Sequence, residues 1–169
     1  MGKILFAEHD GVYLLKFIGD VRLTLGPTIS TFLEQIKNCV TFKAMVVDLS
    51  DTDTIDSTAL GLIAKIAICT RESYECSTSV VSPKNDITRI LQSMAMQEVC
   101  ALTETPYAAG NLNELPREIA SEEMLREHVL EAHRTLMSFD ESNRDKFRDL
   151  VEALENEKHG PEPIAVCGS

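Results

Sequence analysis

The chain has 169 residues, a formal net charge of −11 and a sequence pI of about 4.8. This length is enough for one domain of ordinary size with an appendage. The acidic balance argues against nucleic-acid binding, which depends on Lys and Arg side chains that neutralise phosphates. No apolar run approaches the roughly 20 residues of a membrane-spanning helix, and acidic residues follow the N-terminus too early for a secretory signal. We therefore expect a cytoplasmic protein without direct membrane insertion.

The first 111 residues mix short apolar runs with helical patterns in the order β-β-α-β-α-β-α-β. The predicted strands cover residues 4–7, 12–18, 44–49, 77–82 and 99–102, and the predicted helices cover residues 28–38, 57–73 and 84–94. Apolar side chains recur every three or four residues in each helix, as at Ile87, Ile90, Leu91 and Met94. Strands that alternate with single helices predict an α/β sheet with crossover connections.

Residues 112–160 contain no strand-like run and predict two amphipathic helices. Ser121 is expected to cap the first, with the apolar stripe Leu125, Val129, His133 and Leu136, and Asp140 is expected to cap the second. Residues 161–169 are predicted to be a disordered tail. Two short amphipathic helices cannot form a large core alone. They must therefore dock on the first domain, on each other, on a second copy of the chain or on a partner.

The most informative stretch is the junction between the apolar strand over 44–49 and the helix that opens at residue 57. The apolar run stops at Asp48 and Ser50, a polar loop follows, and Asp56-Ser57 precedes an amphipathic helix. A helix N-terminus has unsatisfied backbone N–H groups and carries the positive end of the dipole. Either Asp56 or Ser57 can cap such a helix, and the same place can accommodate a phosphate.

This pattern resembles the STAS domain family of anti-sigma factor antagonists. The residues that carry the resemblance are the strand with its Asp-Leu-Ser exit at 48–50, the short loop, and Asp56-Ser57-Thr58-Ala59-Leu60-Gly61-Leu62. The resemblance covers residues 1 to about 110 and implies the STAS fold, a mixed β-sheet with helices packed on it. We accordingly predict a STAS domain over 1–111, followed by a C-terminal helical extension over 112–160.

The resemblance also implies a regulatory phosphorylation at Ser57, the serine directly after the aspartate, with Thr58 as the alternative acceptor. Gly19-Asp20 matches a family region that meets the kinase, although Arg22 stands where many members carry an acidic residue. The implied partner-binding residues are Asp20, Asp56, Ser57, Thr58, Leu60 and Gly61. A bulky dianion on Ser57 would repel a partner that docks over the helix end.

The implied function is that of an anti-sigma factor antagonist in a bacterial partner-switching pathway. Unphosphorylated, the protein would bind an anti-sigma factor or a similar serine kinase-type regulator. Phosphorylation by a serine kinase would end the binding, and a metal-dependent serine phosphatase would restore it. The alternative is a STAS accessory subunit of a membrane transport ATPase complex, which needs no phosphate cycle. The C-terminal helices could cover the switch helix, widen the partner interface or form a homodimer.

Residues with other possible chemistry are scattered. The four histidines lie far from Ser57 in sequence, and His128 and His133 have an imperfect spacing for two metal ligands on one helix face. The acidic residues 48, 51, 53 and 56 are more typical of turns and caps than of a magnesium site. The five cysteines form no CxxC pair, so neither a zinc ribbon nor a redox dithiol is indicated. We expect no catalysis, no metal and no cofactor in this chain.

Overall fold

The computed structural model describes residues 2–108 and 110–158, with the backbone alone at residue 158, so the predicted tail over 161–169 lies outside the described residues. The strands are β1 (Lys3–His9), β2 (Val12–Val21), β3 (Ala44–Asp48), β4 (Thr52–Ile55), β5 (Thr78–Val81), β6 (Cys100–Thr103) and β7 (Asn113–Glu114). The helices are α1 (Gly26–Ile36), α2 (Ser57–Tyr74), α3 (Asn85–Ser93), α4 (Glu122–Met137) and α5 (Glu141–Lys158). Within these residues no helix is long and apolar enough to cross a membrane.

The strands form one seven-stranded mixed sheet in the order β6-β5-β3-β2-β1-β7, with β4 paired to β2 beside this path. β1 lies antiparallel to β2 and β7, and the β2–β3, β2–β4, β3–β5 and β5–β6 pairs are parallel. The predicted α/β class and every predicted strand and helix of the first region are confirmed. Two short strands, β4 and β7, were not predicted, and β7 joins the sheet two residues beyond the predicted boundary at 111.

The two faces of the sheet are covered to different extents. Side chains on one face, among them Phe17, Met45 and Val47, join the main core with apolar residues from the five described helices. The other face holds a small cluster of Leu14, Val46 and Val81, against which Leu112 packs. Consecutive strand residues point to opposite faces, which explains why neighbours such as Val46 and Val47 enter different clusters.

The C-terminal extension forms an outer layer over the helices that cover the sheet. Ala132 and Leu136 of α4 and Phe147 of α5 belong to the main core cluster together with residues of α1 and α2. The two predicted helices, with caps at Ser121 and Asp140, are confirmed by side-chain hydrogen bonds to the backbone N–H groups of Met124 and Asn143. The extension therefore docks within its own chain, one of the destinations that the sequence left open.

Asn143 ties the start of α5 to two other helix ends. Its side chain is fully buried, and its amide nitrogen donates hydrogen bonds of 2.8 Å to the carbonyl oxygens of Met94 and Leu136. We expect Asn143→Ala to lower the free energy of unfolding by about 2 kcal/mol, because one buried and one partly buried carbonyl group lose their donor. Chemical denaturation measures this change. The exposed Asp145→Ala should shift stability by less than about 0.5 kcal/mol, and equal effects of both changes would contradict this role of Asn143.

Candidate docking and phosphorylation site

The first turn of α2 is capped by Asp56. Its backbone is extended, and its carboxylate accepts hydrogen bonds from the backbone N–H groups of Ala59, at 2.7 Å, and of Leu23, at 3.1 Å. The second bond fixes the start of α2 to the short 3-10 turn over Leu23–Leu25. Of the two capping residues that the sequence offered, the structure uses Asp56. Ser57 is the first residue of the helix, and its hydroxyl is available for another contact.

That contact is with His133 of α4. The Ser57 Oγ lies 2.8 Å from Nε2 of His133, and Nδ1 of the same ring lies 2.6 Å from the carbonyl oxygen of Val129. A carbonyl oxygen only accepts hydrogen bonds, so Nδ1 carries the proton, and in the neutral ring Nε2 is an acceptor. With a neutral ring, Ser57 is therefore the donor. His133 is only 1% exposed, whereas Ser57 is half-buried, so the pair lies at the edge of the contact between the helices.

One turn further along α2, the two helices approach so closely that residue 61 must be glycine. A Cβ atom on Gly61 would lie 2.3 Å from the carbonyl oxygen of Ala132 and 2.6 Å from the Ala132 Cβ. Another turn along, Lys65 forms an ion pair of 2.6 Å with Glu131. Ser57, Gly61 and Lys65 follow each other at four-residue spacing and so lie on one face of α2. Helix α4 covers this face.

The predicted partner-binding residues therefore occupy different environments. Asp20, Asp56 and Ser57 are half-buried and lie near one another, since β4 pairs with β2 at Asp20 and leads directly to Asp56. Asp20 accepts a hydrogen bond of 2.8 Å from the Thr54 hydroxyl.

The other three predicted residues are buried. Thr58 is 4% exposed, Leu60 is fully buried in the core, and Gly61 lies beneath α4. Leu60 thus packs in the core, and the docking roles remain predictions.

The acidic loop before α2 is held by lysines. Lys16 forms an ion pair of 2.8 Å with Asp51, and its hydrogen bond keeps the pKa of that carboxyl below its ordinary value. The Nζ atom of Lys84 lies 3.7 Å from Oδ1 of Asp53. Asp48 accepts two hydrogen bonds from Ser50, one from the backbone and one from the hydroxyl. These carboxylates are used in turns and ion pairs.

Metal-binding chemistry has no support among residues 2–108 and 110–158. No group of three or more His, Cys, Asp and Glu side chains is placed there to hold a metal ion. His133 bonds to Ser57, whereas the ring of His128 packs near Gly26 at the start of α1, so the two histidines face different neighbours. The cysteines at 39, 69, 76 and 100 are free thiols.

His128 of α4 should make the stability of the protein sensitive to acid. Burial lowers the pKa of His128 below its ordinary value of 6.5; Lys65 reinforces this shift and Glu131 opposes it. Below pH 6.5 the His128 side chain binds a proton in the unfolded chain more readily than in the folded protein. This residue therefore makes the free energy of unfolding fall as the pH drops. We expect the midpoint of unfolding in urea to decrease between pH 7 and pH 5, and to decrease less in His128→Gln. Identical pH profiles of the two proteins would contradict this assignment.

His133 contacts the candidate site, although the sequence did not connect it with Ser57. It lies 76 residues beyond Ser57, and nothing in its local pattern points to a serine on another helix. The available signal was its position on the apolar stripe of α4, because a polar side chain on a buried stripe needs a hydrogen-bond partner.

Comparisons with known proteins concern the first domain of the chain. A family model described as the STAS domain matches residues 3–109. A comparison with curated proteins finds no match. Among solved structures, the chain resembles the anti-sigma factor antagonist SpoIIAA in its unphosphorylated form, with 11% identity, a TM-score of 0.50, and coverage of 60% of this chain and 87% of that one.

A second similar structure is a protein from Thermotoga maritima assigned as a candidate anti-sigma factor antagonist. The identity is 22% and the TM-score is 0.52, with coverage of 59% of this chain and 85% of that one. At these identities the two structures establish the fold. Helices α4 and α5 lie outside the family match, whereas the motif around Ser57 lies inside it. The match over more than half of its residues shows that this chain belongs to the STAS domain family.

Proposed function

We propose that this protein is a phosphorylation-regulated anti-sigma factor antagonist. In its unphosphorylated form it binds an anti-sigma factor or a similar regulator, and a phosphoryl group on Ser57 ends that binding. The observation that carries the proposal is the position of Ser57. It is the first residue of α2, beside the Asp56 cap and at the half-buried edge of the helix, and two structures with this fold bear the description of antagonist.

The electrostatics around Ser57 favour a switch at the interface. A phosphoserine adds about −1.5 to −2 charges near neutral pH. The Asp56 carboxylate already accepts the N–H group of Ala59 in the first turn of α2, so the added charge would lie beside a carboxylate. A partner that docks over this end of α2 would face a solvated dianion. Thr58, the alternative acceptor, is nearly fully buried, which favours Ser57.

The accessory-subunit alternative rests on a different observation. The Ser57 hydroxyl already has a partner in His133, which would suit a residue with a permanent packing role. A subunit of a transport ATPase complex would bind its partner through this domain without any chemistry at Ser57. The two functions differ in whether modification of Ser57 changes binding.

Titration calorimetry with purified anti-sigma factors from the source organism tests the proposal. Three forms of the full chain would be compared. The first is unphosphorylated, the second carries phosphoserine at position 57, and the third is the Ser57→Ala variant. The proposal expects one anti-sigma factor to bind the first and third forms and to bind the phosphorylated form at least about 100-fold more weakly, a cost of about 2.7 kcal/mol. Equal affinity for all three forms, or binding to none of the factors, would refute it.

A further inference from the structure

We infer that α4 occupies, within its own chain, the face of α2 on which the partner docks, and that this face recognises an amphipathic helix of defined chemistry. The recognised helix carries a small residue at the point of closest approach, a carboxylate beside it and a hydrogen-bond acceptor for Ser57. This inference rests on the proposed function, because it assigns that function's docking face to a specific kind of ligand.

The steric part of the recognition is at Gly61. The absence of a side chain there allows the backbone of α4 to approach, and Ala132 is the residue that fits against it. Ala132 is 1% exposed and belongs to the main core cluster. A larger side chain at position 132 has no space, because the Ala132 Cβ already lies against the α2 backbone. Any helix that replaces α4 must therefore present a small residue at this point.

The polar part of the recognition lies on either side of Gly61. Lys65 pairs with the carboxylate of Glu131, and the Ser57 hydroxyl donates to Nε2 of His133. Both contacts are at least partly shielded, since Lys65 and Ser57 are half-buried. Charge and hydrogen-bond contacts of this kind select among helices that have similar apolar faces.

Helix α5 holds α4 in place. The ring of Phe147 packs edge-on against His133, with 4.8 Å between ring centroids, and ion pairs join Arg134 to Glu155 and Arg126 to Glu157. Because α4 is linked to the domain, it acts on α2 at an effective concentration of about millimolar or more. A partner helix must displace it, so the affinity observed for the whole chain is lower than the affinity of the open face.

A labelled peptide with the sequence of residues 121–138 tests the inference on the full-length protein. Ala132→Leu in the chain alters α4 and leaves α2 unchanged, so it should displace α4 and open the face. Fluorescence anisotropy should then show the peptide binding to the Ala132→Leu chain at least about ten-fold more tightly than to wild type or to Glu123→Leu, a change at an exposed position of α4. A peptide with Glu131→Lys should bind more weakly, and a peptide with Ala132→Leu should not bind.

Amide hydrogen exchange on the same proteins shows whether α4 has detached from α2 while the sheet remains protected. If Ala132→Leu also unfolds the sheet, Ala132→Val serves as the milder variant. Failure of the peptide to bind a chain with released α4 would overturn the inference. Equal binding to wild type, or an α4 that stays protected in both variants, would also overturn it. No anti-sigma factor enters this assay, so peptide binding without any anti-sigma factor binding would refute the proposed function alone.

Discussion

Replacing Ser57 with Glu should release α4 from α2 while the sheet stays folded. The Ser57 hydroxyl donates to Nε2 of His133, whose other nitrogen donates to Val129. A glutamate has no proton to donate, needs more space and places a negative charge beside the Asp56 carboxylate. We expect the amides of residues 122–137 to exchange at least about ten-fold faster, which corresponds to about 1.4 kcal/mol of lost docking free energy.

Two matched variants separate the causes of this release. Ser57→Ala removes the donor without adding volume, so α4 should loosen less than in the Glu variant. Ser57→Gln has the size of Glu without its charge and should give an intermediate result if both size and charge contribute. Unchanged protection of α4 in Ser57→Glu, measured by hydrogen exchange with mass spectrometry, would show that the Ser57–His133 contact does not control docking.

Shortening Leu60 to alanine should destabilise the whole domain. Leu60 is fully buried in the main core cluster on α2, between the sheet and the outer helices. A Leu→Ala change at such a site loses the transfer free energy of the side chain and leaves a cavity, which together cost about 2–5 kcal/mol. Urea denaturation of the full chain measures this cost as a lower midpoint.

Leu150→Ala is the matched control, because Leu150 of α5 is 40% exposed and should change stability by less than about 1 kcal/mol. The comparison also separates two roles for Leu60. A docking residue would lose partner affinity at unchanged stability, whereas a core residue loses stability first. Wild-type stability of the Leu60→Ala chain would therefore contradict the core assignment and return Leu60 to the docking surface.

Much of the fold could be predicted because its strands and helices have strong periodic patterns. The strands β4 and β7 lacked such a signal. β4 reads Thr-Asp-Thr-Ile, a polar segment that contributes to the sheet through pairing with β2, and β7 has two exposed residues. Pairing of this kind depends on the strand next to it in space, and a local pattern does not show which strand that is.

The sequence of α2 contains a signal that a second layer covers this helix. Leu60, Ile63, Ala64 and Ala67 form one apolar stripe of α2, but Leu62 and Ile66 on other faces are also buried. Buried apolar residues on several faces of a helix require that each of those faces is covered. Its composition therefore indicates that something besides the sheet covers it, and in this protein α4 does so. The sequence could not show that the cover comes from the same chain.

The site could be located from the sequence, but its contacts could not. The Asp-Ser-Thr-Ala-Leu-Gly motif pointed to the N-terminus of α2, where Asp56 and Ser57 lie. The hydrogen bond to His133 and the fit of Gly61 against Ala132 join residues more than 70 positions apart. Such contacts follow from how α4 packs on α2, and this packing depends on shape complementarity across both surfaces.

Peptide mass spectrometry on the protein isolated from the cells that make it tests the phosphorylation of Ser57 most directly. We expect a phosphoryl group on Ser57 under some growth or stress condition, absent in a Ser57→Ala strain and retained in a Thr58→Val strain. An unmodified Ser57 under every condition, with a phosphoryl group on Thr58 or none at all, would contradict it.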